Sequence, residues 1–397
     1  MKITILLPIL LLSFKSMASD QITLLHYNIK ELDTTKLNPD NKQLKAVNEV
    51  VSEHNADLLS INEVQYDFPN VPSIDYQSEG KNLDKLRSLL GLNELKYISF
   101  NPANTGLNAK PNAQGVYFSK PNTAEARKHA DQVNFGTLPG QYSSGLMSKY
   151  KIKSQKILSK IKWKDFNPGI ELKTFKLASG KEFPETAELF DKNFSDIVLD
   201  VNGKDLHVII LHTVPSYHFG NKFSPNYLRN RDQLRFLEWY LTGSTDIKVN
   251  IDIKPLNKND YYVATGDWNT AYDSKENPGS EILRSLYKKS QLWLKSTSEL
   301  SFTNEGRGYG KKPQRLMLDY IAYSQNIEML KGQILHPDFE RKVLGCADTN
   351  TRIAPKGYIL VEWAEDKKTC KAFVKKSYKL FKDASDHYPI LGVFKLN

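Results

Sequence analysis

Seven polar residues stand where short apolar runs of this chain end or begin, and an eighth, Asp319, sits inside one. They are Asn28, Glu63, His212, Asp267, Asn269, Asp319, Asp386 and His387. Carboxylates and amide oxygens are hard donors suited to Mg²⁺, Mn²⁺ or Ca²⁺. The two histidines add groups that move a proton or carry a positive charge near neutral pH. No Ser–His or Cys–His pairing of the kind that makes a nucleophile accompanies them. Taken singly, each has a plain structural reading. An Asn or Glu after a strand is a cap, Gly266-Asp267-Trp268-Asn269 is an Asx turn, and Asp386-His387 stops a helix. Their shared placement, each against an apolar run, is what points to one site.

The elements that must position them are short. Residues 22–29, 57–64, 145–149, 206–212, 261–269, 316–323 and 388–396 read as buried strands. Residues 42–53 read as a helix with Leu44, Val47, Val50 and Val51 on one face. Leu83, Leu86, Leu89 and Leu90 suggest a second helix, with Asn82 as its N-cap and Gly91 at its end. A third covers 232–241, with Leu234, Leu237 and Leu241 aligned. Alternating strands and helices give an α/β class. Strand ends along one sheet edge share a crevice in which ligands bind. No low-complexity linker divides the chain. Residues 19–397 read as one domain with surface insertions near 66–140, 163–198, 244–259 and 336–380.

Residues 1–18 read as a secretory signal, with Lys2, an apolar run over 3–12 and Ser16-Met17-Ala18 before the cut. The run is shorter than the roughly 20 residues that span a bilayer. The expected location is therefore outside the cell or in the periplasm, without stable membrane insertion. The formal net charge is +10, and +8 without residues 1–18, which carry Lys2, Lys15 and no acid. Such a balance suits polyanionic partners or serves only solubility. Cys346 and Cys370, in an exported chain, can close a disulfide. They are too few for a zinc cluster.

The ordered pattern resembles the endonuclease/exonuclease/phosphatase superfamily, the fold of pancreatic-type deoxyribonuclease. The matching motifs are His26-Tyr27-Asn28-Ile29, Ile61-Asn62-Glu63-Val64, Leu211-His212-Thr213, Gly266-Asp267-Trp268-Asn269, Leu318-Asp319-Tyr320-Ile321 and Ser385-Asp386-His387-Tyr388-Pro389. The resemblance implies a four-layer α/β/β/α sandwich, with two mixed sheets face to face and helices outside. It implies that Glu63, helped by Asn28 and Asp386, holds Mg²⁺. Asp267 would orient or deprotonate the attacking water. Asn269 and His212 would donate to phosphoryl oxygens. His387, oriented by Asp319, would act as base or as transition-state stabiliser. Phosphoryl transfer needs positioning and charge neutralisation more than covalent help, so these residue types suit it independently of any family.

His212 is similar to the deoxyribonuclease and neutral sphingomyelinase branches, where the apurinic-site endonucleases have Tyr. The deoxyribonuclease-like acid expected just before the central strand is missing, because Gly140-Gln141-Tyr142-Ser143 stands there. Arg229 and Arg231, at the start of a helix, are candidate phosphate contacts. The leading expectation is a monomeric nuclease acting on DNA, with RNA as a further substrate. The second is a sphingomyelinase-like or phosphoinositide phosphohydrolase acting on a lipid headgroup. The third is a non-catalytic module that binds a phosphate ligand.

Overall fold

Apolar runs without alternation bury both faces of a strand, and the strands at the centre of each sheet do so. The computed structural model describes residues 21–216, 222–294, 301–306, 308–310, 312–346 and 353–397. The signal expected at 1–18 lies outside the described residues. Along Gln21–Leu32, Ile22 and Leu24 face inward between two sheets, while Leu25, Tyr27 and Ile29 face outward against helices. Along Lys204–Leu211, Val208 and Ile210 face inward and Ile209 and Leu211 outward. Each such side chain, fully removed from water, contributes roughly 2 kcal/mol.

The first sheet runs in the order Ile327–Ile334, Ile390–Leu396, Gln21–Leu32, Leu58–Val64, Ser143–Ser148, Tyr97–Asn101. The second runs Lys151–Ile157, Phe194–Val201, Lys204–Leu211, Tyr261–Asp267, Asp319–Tyr323, Gln291–Trp293. Both are mixed, and they pack face to face with helices outside, as expected. Each holds one parallel pair joined through a helix. Lys42–Ser52 crosses between Gln21–Leu32 and Leu58–Val64, and Pro225–Thr242 crosses between Lys204–Leu211 and Tyr261–Asp267.

The helix termini follow local chemistry. Asn41 Oδ1 accepts from Leu44 N–H at 3.0 Å and starts the first crossover helix. The second opens on Ser224 with Pro225 in its first turn and stops at Gly243, whose φ of 69° is left-handed. It begins earlier than the expected 232. Its first turns bury Arg229 and Asn230 through hydrogen bonds, so hydrophobic periodicity does not reveal them. The helix Asn82–Leu89 includes Asn82 instead of being capped by it. Asn82 Nδ2 donates to Thr34 Oγ1 and to the Gln65 carbonyl.

The expected surface insertions are only partly superficial. Trp163, Phe166, Leu172 and Phe183 are buried against the second sheet, and Phe194–Val201 is one of its strands. Residues 341–375 add a three-stranded antiparallel sheet in which a disulfide joins Cys346 to Cys370. Among the described residues no helix is long and apolar enough to cross a membrane.

Candidate active site

Parallel neighbours present their C-terminal ends on the same side. Asn28 and Glu63 therefore meet at one edge of the first sheet, and His212 and Asp267 at one edge of the second. The antiparallel strands arrive at those edges with their first residues. Asp319 opens its strand directly opposite Asp267. Asp386 and His387 precede Ile390–Leu396, which pairs with the Asn28 strand so that Ile390 faces His26. Packing the two sheets face to face closes all eight residues around one point.

Backbone geometry at these ends is specialised. Glu63 and Asn269 adopt left-handed φ values of 68° and 49°. Asn tolerates that region, whereas for Glu it costs of order 1 kcal/mol. Gly266 has no tolerable substitute. A Cβ there would lie 1.7 Å from the Leu211 carbonyl oxygen. That close approach brings Asp267 beside His212.

The centre of the site is Asp267 Oδ2. Asn28 Nδ2 donates to it at 3.0 Å and to Glu63 Oε1 at 3.0 Å. His212 Nε2 lies 3.6 Å from it and His387 Nε2 lies 3.7 Å from it. Asp267 Oδ1 accepts from Asn269 N–H at 2.9 Å, and Asn62 Oδ1 accepts from Asp267 N–H at 2.9 Å. His387 Nδ1 bonds Asp319 Oδ2 at 2.7 Å, and His26 Nε2 lies 3.3 Å from the other Asp319 oxygen. Asp386 Oδ2 accepts from Lys30 Nζ at 2.8 Å. His212 Nδ1 is buried without a partner among the described residues, consistent with the missing acid before the central strand.

Burial and neighbours set the charges. Burial pushes the Asp267 carboxyl up to about 7, with His387 opposing and Asp319 adding to the rise. Burial and the Asp386 carboxylate also raise Glu63. Burial alone would lower His387, but Asp319 and Asp267 outweigh it and lift the imidazole to about 10. Burial would raise Asp319, yet His387 and His26 hold it well below the usual carboxylate range. Burial, with Lys192 and His387 nearby, keeps His212 neutral.

These carboxylates suit a divalent cation. Glu63, His212 and Asp267 each bring a ligand atom within 4.8 Å of the others, as do Asp267, Asp319 and His387. Glu63 and Asp267 carry buried negative charge that protein groups only partly offset, and a cation would complete that balance. Asn28 turns its NH₂ toward both carboxylates, while its oxygen accepts from Lys30 N–H at 3.0 Å. It thus bridges the acids and does not offer its oxygen to the centre.

The expectation for Arg229 as a phosphate contact is corrected, although the residue lines the cleft. Arg229 is buried, and its guanidinium donates to Leu189, Val133 and Glu188 carbonyls and to Asn134 Oδ1. It ties the crossover helix to two loops and keeps no donor pair for a phosphate. Arg231 pairs with Asp232 at 3.0 Å.

Two cations escape the sequence reading. Lys192 is buried, pairs with Asp191 at 2.8 Å and donates to the Thr213 carbonyl at 3.2 Å, the same oxygen that Asn269 Nδ2 reaches at 3.1 Å. Lys30 faces the cleft beside Asp386. Neither lies in a periodic run. The available signal for Lys192 is the polar triplet Asp191-Lys192-Asn193 immediately before an apolar strand. A cleft of about 570 Å³ opens from the Asp267 centre, with Lys30, Lys192, Tyr142 and Phe135 in its walls.

The sequence profile described as the Endonuclease/Exonuclease/phosphatase family matches residues 25–387. Among solved structures, an endonuclease/exonuclease/phosphatase from Beutenbergia cavernae is 14% identical with a TM-score of 0.53, over 95% of this chain and 72% of that one. Sphingomyelinase C from Streptomyces griseocarneus is 15% identical with a TM-score of 0.47, over 94% and 99% of the two chains. A family protein from Bacteroides thetaiotaomicron is 10% identical with a TM-score of 0.46, over 95% and 98%. At these identities the likeness is one of fold. No curated protein sequence matches the chain.

Proposed function

This chain belongs to the endonuclease/exonuclease/phosphatase family, generally metal-dependent phosphoester hydrolases, and from that premise we propose that it is an exported, Mg²⁺-dependent phosphodiesterase that cuts DNA and, by the same chemistry, RNA. The observation that carries the reading is the convergence of Asn28, His212 and His387 on Asp267 Oδ2, with Glu63 alongside.

Glu63 and Asp386 would hold the cation, with Asn28 fixing Glu63 against Asp267. When bound, the cation supplies charge neutralisation at the phosphoryl oxygens. Asp267, buried and titrating near neutrality, takes the proton of the attacking water. His387, kept as imidazolium by Asp319, donates through Nε2 to a non-bridging oxygen as negative charge builds. Asn269 and neutral His212 add further donors. The water oxygen bonds phosphorus, the P–O bond to the leaving alkoxide breaks, and solvent protonates that alkoxide to the alcohol. Lys30 and Lys192 in the cleft, together with the basic chain, support a polyanionic substrate. Residues 19–397 act as one monomeric unit once 1–18 is removed.

The test is direct. Purified chain with Mg²⁺ is expected to degrade plasmid DNA, and His387→Ala to abolish this. Release of phosphocholine from sphingomyelin without DNA cleavage would replace DNA by a lipid headgroup. Inactivity on every phosphoester, with phosphate-ligand binding retained, would leave only a binding module.

A further inference from the structure

The cleft continues past the Asp267 centre to a wall built by loops that the sequence marks only as insertions. Phe135 stands in that wall with 48% of its surface exposed. Its ring lies within 18° of parallel to Tyr142, with centroids 6.3 Å apart. Both residues have left-handed backbones, with φ of 55° and 62°. Bulky side chains rarely adopt that region, at a cost of order 1–3 kcal/mol each.

Both are held firmly. The Phe135 carbonyl accepts from Gly106 N–H at 2.8 Å, and the Gly136 carbonyl accepts from Asp131 N–H at 2.8 Å. Asp131 Oδ1 accepts from the N–H groups of Val133 and Asn134 at 2.9 and 3.0 Å. Tyr142 donates its hydroxyl to Glu31 Oε1 at 2.9 Å, and Glu31 N–H donates to Glu63 Oε2 at 2.8 Å. Tyr142 is therefore two hydrogen bonds from Glu63, the carboxylate assigned to the cation. Exposed cations share the cleft: Arg127, whose Nη1 donates to the Pro121 carbonyl at 3.2 Å, and Lys176, 3.3 Å from the exposed Glu182. Lys192 Nζ lies 6.0 Å from the Tyr142 ring centroid.

We propose that Phe135 and Tyr142 form a stacking subsite for one unpaired nucleobase, with Arg127 and Lys176 engaging the adjoining phosphates. Single strands are thus preferred over duplexes. The inference rests on the nuclease reading above. A rigid aromatic face beside basic side chains is how single strands are held without sequence preference. A paired, stacked base has no free face to offer Phe135. The cleft volume matches a compact unit such as a nucleotide.

The experiment compares wild type, Phe135→Ala and Phe135→Trp, with Mg²⁺, on a single-stranded oligothymidylate, its duplex with oligodeoxyadenylate, and bis(4-nitrophenyl) phosphate. Wild type is expected to favour the single strand. Phe135→Ala is expected to raise KM for the single strand about tenfold, the scale of one lost base–aromatic stack. The ratio of its kcat/KM to that for bis(4-nitrophenyl) phosphate falls by a similar factor. Phe135→Trp keeps a ring and restores KM. Arg127→Ala is expected to reduce the log–log salt slope for the single strand by ~0.7. An unchanged KM in Phe135→Ala, or equal wild-type turnover of single strand and duplex, overturns the subsite. Hydrolysis of bis(4-nitrophenyl) phosphate with no cleavage of either nucleic acid instead overturns the nuclease reading, and the subsite with it.

Discussion

Replacing Asp319 by Asn removes one negative charge 2.7 Å from His387 Nδ1 while nearly conserving volume. His387 is lifted from an ordinary 6.5 to about 10, and Asp319 is the largest cause of that rise. An opposite charge at such range is worth ~1–3 pKa units, or ~1.4–4 kcal/mol of preference for the imidazolium. The assay is kcat/KM for bis(4-nitrophenyl) phosphate as a function of pH with Mg²⁺. Asp267 works as a carboxylate, so the rate rises as pH climbs through its pKa. His387 works as a cation, so the rate falls as pH climbs through about 10. In Asp319→Asn the alkaline limb is expected to move down by ~1–3 units. The maximum also falls, by ~10²–10⁴, because the ring loses its orienting partner. A folded Asp319→Asn protein whose alkaline limb stays where wild type has it would refute the assignment of that limb to His387.

Two further outcomes follow from the same charge balance. Mg²⁺ at a hundredfold over its Kd is expected to stabilise the protein by about 2.7 kcal/mol, read as a rise in Tm that EDTA reverses. It should also shift the acid limb downward, because a cation beside Asp267 favours its carboxylate; an unmoved Tm and limb would contradict a cation held by Glu63 and Asp386 beside Asp267. Lys192→Met leaves buried Asp191 without a counter-charge, with only the Gln233 amide as partner among the described residues, and is expected to cost ~3–5 kcal/mol in urea unfolding, with a loss under ~1 kcal/mol contradicting the pair.

Much of the site was legible because strand-end chemistry is local. Each of Asn28, Glu63, His212, Asp267 and His387 lies within a few residues of an apolar run whose direction aims it. The apolar runs also carried the α/β class, since strands with no alternation must be covered on both faces, while the two-sheet sandwich came from the family resemblance. Lys192 and Tyr142 were not legible, because they belong to loops with no period, nor was Lys30, a polar residue just past the apolar run of its strand. Their importance comes from what lies across the cleft. Arg229 misled for the complementary reason. A cation at a helix start looks like a phosphate ligand until its carbonyl partners, 40 to 96 residues away in sequence, are known.

The residues of the Asp267 centre, and the hard-donor chemistry they permit, were therefore determined by the sequence. The tertiary structure decided how they are charged. Asn28 and Asp267 are 239 positions apart, and Asp319 and His387 are 68 apart. Only folding places them within hydrogen-bond range at the buried floor of a cleft. There, burial drives Asp267 toward neutrality while two carboxylates hold His387 protonated. The choice between base and cation for His387, open in its motif, is an electrostatic property of that assembled interior.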